Sequence, residues 1–234
     1  MARGKRYSAG AEAIDQDRQY PSNEAVELVK GAATAKFDET IEVHIRLGVD
    51  PRQADQQIRG TIQLPHGTGK AVRVAVFAQG EKVKEAEEAG ADIVGLEDLA
   101  AKVEKGEIDF EAAIATPDVM STVGKIGKIL GPRGLMPNPK VGTVTFDVAK
   151  AVSAIKSGKV EYKVDKFGIS HVSVGKASFT AEQLDENYTM LIDEIMRVKP
   201  ASSKGRYIKS IAMTSTMGPS VRIAAAKPKD DSDH

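Results

Sequence analysis

From Thr40 to Val49 the hydrophobic and polar positions alternate without a break. Ile41, Val43, Ile45, Leu47 and Val49 share one phase, and Glu42, His44 and Arg46 share the other. Successive strand side chains point to opposite faces, so this pattern predicts a strand with one buried and one wet face. A second strand is expected over Gln57 to Leu64. The same period returns late in the chain, where Val160, Tyr162 and Val164 alternate with Glu161, Lys163 and Asp165. Lys166-Phe167-Gly168 then reads as a hairpin turn, with Ile169 to Val174 as the partner strand. Two last strands, roughly Arg206 to Thr214 and Ser220 to Ala225, flank Thr216-Met217-Gly218-Pro219. Helical spacing appears at Asn23 to Ala33, with Ser22 as the expected N-cap. It appears again after Thr180, which forms a capping box with Gln183 at the head of a helix reaching about Val198.

Between these regions the pattern changes. Pro65-His66-Gly67-Thr68-Gly69 is a cluster of breakers, and Val72, Val74, Val76, Phe77 and Ala78 then form a compact apolar run. Short strands are expected at Asp92 to Gly95 and Ala112 to Ala115. Helices are expected at Glu81 to Ala89, at Glu97 to Lys105, from Pro117-Asp118 onward, and near Asp147 to Lys156 after a short strand. Short apolar strands alternating with helices predict a parallel sheet covered on both faces, a three-layer α/β arrangement. The reading is therefore α+β and α/β in two domains. One is a split α+β domain made from both chain ends, residues 1–67 plus 159–234. The other is an α/β domain inserted at residues 68–158. The paired crossings near Gly67 and Gly158 would act as a hinge.

Composition narrows the chemistry. Hydrophobic residues are 41% and charged residues 28% of the 234, enough for a buried core. With no Trp and few aromatics, that core is expected to be Val, Ile, Leu and Ala. The absence of Cys excludes disulfides and thiolate metal sites. Met1 to Arg6 is basic without an apolar run behind it, and no stretch is apolar over a membrane-spanning length, so a soluble cytosolic protein with no membrane partner is expected. The 33 Lys and Arg balance the 33 Asp and Glu, which at first counts against a nucleic-acid binder. The charges are segregated, however. Ile195 to Lys229 carries eight basic residues and no acid, and Val119 to Phe146 carries four and no acid. A local positive surface can therefore exist on a neutral chain.

Enzyme motifs are missing from the α/β segment. Neither His66-Gly67-Thr68-Gly69-Lys70 nor the run Gly124 to Gly131 fits the phosphate-loop pattern, and no G-x-G-x-x-G follows Gly80. His44, His66, His171 and His234 are dispersed, which gives no metal or triad spacing. On these residues no catalytic site, metal or cofactor is expected, and a nucleotide-dependent enzyme is the alternative of a different class. The most unusual local feature is Thr214-Ser215-Thr216-Met217-Gly218-Pro219-Ser220, four hydroxyls with two further side chains around a Gly-Pro turn. By composition it is a plain hairpin loop, but hydroxyls and open backbone can also bond phosphates and the ribose 2′-OH. Lys36-Phe37 pairs a cation with an aromatic, which suits either stacking on RNA or a core anchor.

These stretches also carry a resemblance. Lys36-Phe37-Asp38-Glu39-Thr40, Arg59-Gly60-Thr61, Leu64 to Lys70, Ala115 to Met120, Leu130 to Pro139, Gly175 to Phe179 and Thr216 to Ser220 resemble, in order and spacing, the bacterial large-subunit ribosomal protein L-one family. The likeness spans about Gly4 to Ile223. It implies a split RNA-binding domain and an inserted Rossmann-like domain. It also implies binding to the stalk segment of large-subunit rRNA beside the E site, help in releasing E-site tRNA, and repression of translation through the protein's own operon mRNA. No cofactor and no catalysis are implied, and the chain is expected to be a monomer outside the ribosome. Carried over residue by residue, the RNA surface would comprise Lys36, Phe37, Thr40, Glu42, Lys166, Gly168, His171, Ser178, Thr214, Thr216, Met217 and Gly218. Position 215 is Ser where Thr is expected in the family, which keeps the hydroxyl. The acidic run Asp230-Asp231-Ser232-Asp233 matches nothing assigned.

Overall fold

A computed structural model of the chain describes residues 4–225. The acidic run Asp230 to Asp233, with Lys227 and Lys229, lies outside the described residues. The described residues form a mixed α/β protein with three sheets, and they divide into two compact units.

Among the described residues the first unit holds 4–58, 64–69 and 162–225. Its helices are α1 (Lys5–Glu12) and α2 (Ser22–Ala32), and its first strand is β1 (Thr40–Leu47). Strand β2 (Arg59–Gln63) belongs to the second unit. That unit comprises residues 59–63 and 70–161. It continues with β3 (Val74–Phe77), α3 (Glu81–Glu88), β4 (Ile93–Gly95), α4 (Glu97–Glu104) and β5 (Ala112–Ala115). Helices α5 (Met120–Lys125), α6 (Gly127–Leu130) and α7 (Val148–Lys156) follow. Strand β6 (Lys159–Lys163) pairs with β2 in a two-stranded sheet where the chain changes unit. The first unit then resumes with β7 (Ile169–Lys176), α8 (Ala181–Arg197), β8 (Ile208–Ser215) and β9 (Ser220–Ile223). The unit boundaries thus differ from those drawn at Gly67 and Gly158, because β2 and the start of β6 pair with each other.

In the first unit the sheet order is β7-β1-β8-β9, all antiparallel. The alternation of β1 is explained directly. Ile41, Val43, Ile45 and Leu47 are at most 2% exposed, while Glu42 and Arg46 are exposed. Helix α2 packs on β8 and β9, and α8 packs on β7, so one face is roofed by two helices and the other is open. Fully burying each such aliphatic side chain contributes about 1.5–3 kcal/mol, which fixes the register because a one-residue slip would expose all four. The capping box of Thr180 and Gln183 starts α8 as expected. Ser22 does not cap α2; Pro21 occupies that position, and its carbonyl accepts the Ala25 N–H at 3.0 Å. Helix α1 was not foreseen, because none of its residues is buried and it has no apolar stripe to read.

In the second unit β4-β3-β5 is a parallel sheet. All four residues of β3 are buried, and they divide between two cores. Val74 and Val76 pack with Ala86 of α3 and with Val148, Val152 and Ile155 of α7. Ala75 and Phe77 pack with Leu99, Val103, Val123 and Leu130 from α4, α5 and α6. A continuous apolar run is what a strand covered on both sides requires. The strand expected before α7 is reduced to one parallel bridge, Ala115 to Val144. Gly131 to Asn138 forms a long loop.

Candidate nucleic-acid interface

The start of β1, the end of β7 and the turn from β8 to β9 converge at one end of the first unit's sheet, and a single buried carboxylate ties them. Glu39 is 1% exposed. One carboxylate oxygen accepts the Ala35 N–H at 2.8 Å, and the other accepts the Met217 N–H at 2.9 Å. Its backbone carbonyl accepts the Ala177 N–H at 2.8 Å. Burial pushes the carboxyl pKa up. The N–H groups of Met217 and Ala35, the Ser215 hydroxyl and the charge of Arg6 outweigh that, and the pKa lies below its ordinary 4.5. The ionised form is therefore the one that holds the loops.

Further bonds lock the same corner. Asp38 accepts the Ser178 N–H at 3.1 Å and the Ser178 hydroxyl at 2.8 Å. The Thr216 hydroxyl accepts the Thr40 N–H at 3.0 Å and donates to the Thr40 carbonyl at 3.3 Å, in the place of a neighbouring strand. Lys176 Nζ donates to the Thr40 hydroxyl at 2.8 Å. Strand β7 carries a bulge here, between the pairs Ile41–Gly175 and Glu42–Ser173. Gly175 fits because a Cβ at that position would lie 2.8 Å from Leu184 Cδ2 and 2.9 Å from Phe179 Cδ2. Bulges of this kind re-aim side chains at the end of a ladder. On this fixed backbone stand two large apolar side chains that the fold leaves in water, Phe37 at 56% and Met217 at 58% exposed.

The open face of the sheet continues from this corner. One row runs Ser173, Glu42, Thr214, Ser220; the next runs His171, His44, Ala212, Arg222; a third runs Ile169, Arg46, Ser210. These rows hold two guanidinium groups and one carboxylate, Glu42. Nδ1 of His44 and Nδ1 of His171 are 2.8 Å apart, so one ring donates and the other accepts, and at least one is neutral. Partial burial and the facing His171 hold the His44 pKa below its usual 6.5, against the opposing pull of Glu42. Asp165 Oδ2 lies 3.7 Å from His171 Nε2. An open antiparallel face with fixed cations, hydroxyls and rings is suited to a polyanion with ribose and base edges.

A family model for the ribosomal protein L1p/L10e family matches residues 28–219, which is more than half of the chain. The chain belongs to that family. It is accordingly a ribosomal protein that binds rRNA in the large subunit. The family is one of structural RNA-binding proteins rather than enzymes, so the nucleotide-dependent enzyme alternative has no support. Among the described residues no helix is long and apolar enough to cross a membrane, and no group of three or more His, Asp or Glu is placed to hold a metal ion.

The fold brings nine of the twelve residues anticipated from the sequence to one end of the sheet: Lys36, Phe37, Thr40, Glu42, Ser178, Thr214, Thr216, Met217 and Gly218. His171 lies farther along the open face. Lys166 and Gly168 sit in the turn at the opposite end of β7, about 20 Å away at the usual rise per strand residue. The hydroxyl platform also differs from expectation. The Thr214 hydroxyl points into its own turn, 3.0 Å from the Ser215 carbonyl and 3.3 Å from that of Gly218. Ser215 is 2% exposed, and the Thr216 hydroxyl is engaged with Thr40. The Thr214 and Thr216 hydroxyls thus serve the fold, one satisfying carbonyls of the turn and the other the backbone at the start of β1. At Gly218 a Cβ would lie 2.4 Å from Ser215 Oγ, so the turn is closed by that glycine.

Sequence reasoning missed Glu39, Asp38 and Lys176. For Glu39 a signal existed. Position 39 is in phase with Ile41, Val43 and Ile45, so it falls on the buried face, and a carboxylate in a buried phase needs donors.

Proposed function

We propose that the first unit docks a folded stalk segment of large-subunit rRNA on the corner around Glu39 and the adjoining open sheet face. The observation that carries this reading is the pair Phe37 and Met217, exposed yet standing on backbone fixed by a buried carboxylate, beside the free-standing charge of Lys36. A fold maintains an exposed aromatic and an exposed thioether on rigid supports when a partner covers them. Ring and thioether would pack on bases or sugars, Lys36, Arg46 and Arg222 would contact phosphates, and Ser178, Glu42 and His171 would reach ribose or base edges. Lys166 and Gly168 would touch a second, more distant part of the same RNA.

The resemblance extends the proposal. The two units act as separate domains, a split α+β domain and an inserted three-layer Rossmann-like domain joined by a hinge at the chain crossings. The stalk so formed stands beside the E site, and the inserted domain, through Lys125, Lys128, Arg133 and Lys140, contacts deacylated tRNA and aids its release. The same rRNA-binding corner would hold a similar structure in the protein's own operon mRNA and repress translation, with the protein monomeric outside the ribosome. Binding of the stalk rRNA segment to wild type and to Phe37→Ala and Met217→Ala tests the core of this. Each variant should bind about tenfold more weakly with the same salt slope, since base-stacking contacts contribute about 1–3 kcal/mol each. Unchanged affinity in both variants would move the site off this corner.

A further inference from the structure

Beside the Glu39 corner lies a cleft of about 510 Å³. It lies within the first unit and opens between the head of α1, the end of α2 and the Thr216–Gly218 turn. Its rim carries Lys5 and Arg6, and Tyr7, Thr34, Glu39 and Met217 line its wall with smaller residues between them. Three features identify the chemistry it would take. Its size falls in the range of roughly 300–1,000 Å³ typical of small-molecule sites, ample for one nucleotide. The cations stand on its rim, and Glu39, the only carboxylate among its described lining residues, has each oxygen turned to a backbone N–H while the charge of Arg6 also reaches it. Met217 and Tyr7 offer a thioether and a ring to a flat apolar face. Met217 belongs at once to this wall and to the proposed RNA corner, so a strand crossing the corner passes the mouth of the cleft. Lys5, Arg6 and Tyr7 precede the segment that the family model matches, so they are not among the residues that assigned the chain to its family.

We propose that this cleft receives a single unpaired nucleotide of the bound RNA, its base against Met217 and Tyr7 and its phosphate against Lys5 and Arg6. The proposal rests on the RNA-docking reading above and adds a pocket for an extruded residue to a surface otherwise read for shape. Placing an extruded base in a pocket favours loops and bulges over regular duplex, because bases there are already unstacked.

The test uses the full chain and the stalk rRNA segment, prepared intact and as a series in which each unpaired nucleotide in turn is made abasic. For one member of the series wild type should bind about tenfold more weakly than it binds intact RNA, the size of one lost base contact. Thr34→Trp places an indole in the cleft from an exposed position. It should bind intact RNA equally weakly and lose nothing further with that one abasic RNA. Lys5→Gln, an exposed substitution on the same rim, should show a smaller loss and a shallower salt slope. If every abasic RNA weakens wild type and both variants by the same factor, the cleft holds no nucleotide, although the docking reading survives. If wild type fails to select the stalk segment over scrambled RNA, the docking reading falls and the cleft proposal with it.

Discussion

Replacing Glu39 with Gln keeps the side chain's shape and removes what it does. The carboxylate accepts two backbone N–H groups, from Ala35 and Met217, at 2.8 and 2.9 Å. An amide has one acceptor oxygen, so in Glu39→Gln an NH2 group must face one of those N–H donors. A hydrogen bond to a charged group contributes about 1.5–3 kcal/mol, and a buried donor left without a partner costs about 1–3 kcal/mol. These overlap, and the donors sit on surface loops that water can reach once they move, which places the loss near about 2–3 kcal/mol at neutral pH. The pH dependence carries a definite sign. Glu39 has its folded pKa lowered below the ordinary 4.5, so its contribution is complete above that value and is lost as pH falls through the lowered folded pKa. Urea unfolding followed by circular dichroism should therefore show a gap between wild type and Glu39→Gln that is full at neutral pH and closes in acid. The folded variant should also bind RNA more weakly, because the Phe37 loop and the Met217 turn are no longer tied together. A variant within about 0.5 kcal/mol of wild type at neutral pH, the spread of ordinary surface substitutions, would refute the anchoring role.

Three further outcomes follow from the same geometry. Thr216→Val removes the hydroxyl bridge to Thr40 and should cost about 1 kcal/mol in urea unfolding, weakening RNA binding by a similar factor without altering its salt slope. The histidine pair should make binding pH-dependent. Because the His44 pKa is held below 6.5, its stabilising contribution is present above that pH and is lost as pH falls. Phosphate favours the protonated His44 ring, so RNA affinity should rise over the same fall in pH, and a binding titration of His44→Gln should be flatter. Arg46→Gln and Arg222→Gln should each reduce the salt slope by about 1 and leave selectivity between RNAs unchanged.

Much of the fold was legible because periodicity reports burial. The phase of Ile41 to Leu47 marked the roofed face, and the unbroken apolar run of β3 marked a strand covered twice. Helix α1 was illegible for the converse reason: it buries nothing, so its sequence carries no stripe. The site was legible as a set of residues and much less so as an arrangement. Lys166 and Gly168 were grouped with Thr216, yet β7 separates them by most of its length, a distance that no spacing along the chain encodes. The hydroxyls of Thr214 and Thr216 looked free because composition cannot show that the carbonyls of the turn engage the first and the backbone at the start of β1 engages the second. Glu39 shows the reverse case. Its phase with the buried positions was visible, and only the donors that satisfy it, 4 and 178 residues away in the chain, required the structure.

The central claim is that the first unit recognises a particular RNA shape rather than negative charge in general. It is tested most directly by measuring affinity of the full chain for the stalk rRNA segment and for a scrambled RNA of equal length across a range of salt concentrations. The account predicts a preference of about a hundredfold or more that persists as both affinities fall with salt, since the selective contacts are not ionic. Equal affinities that vanish together as salt rises would contradict it.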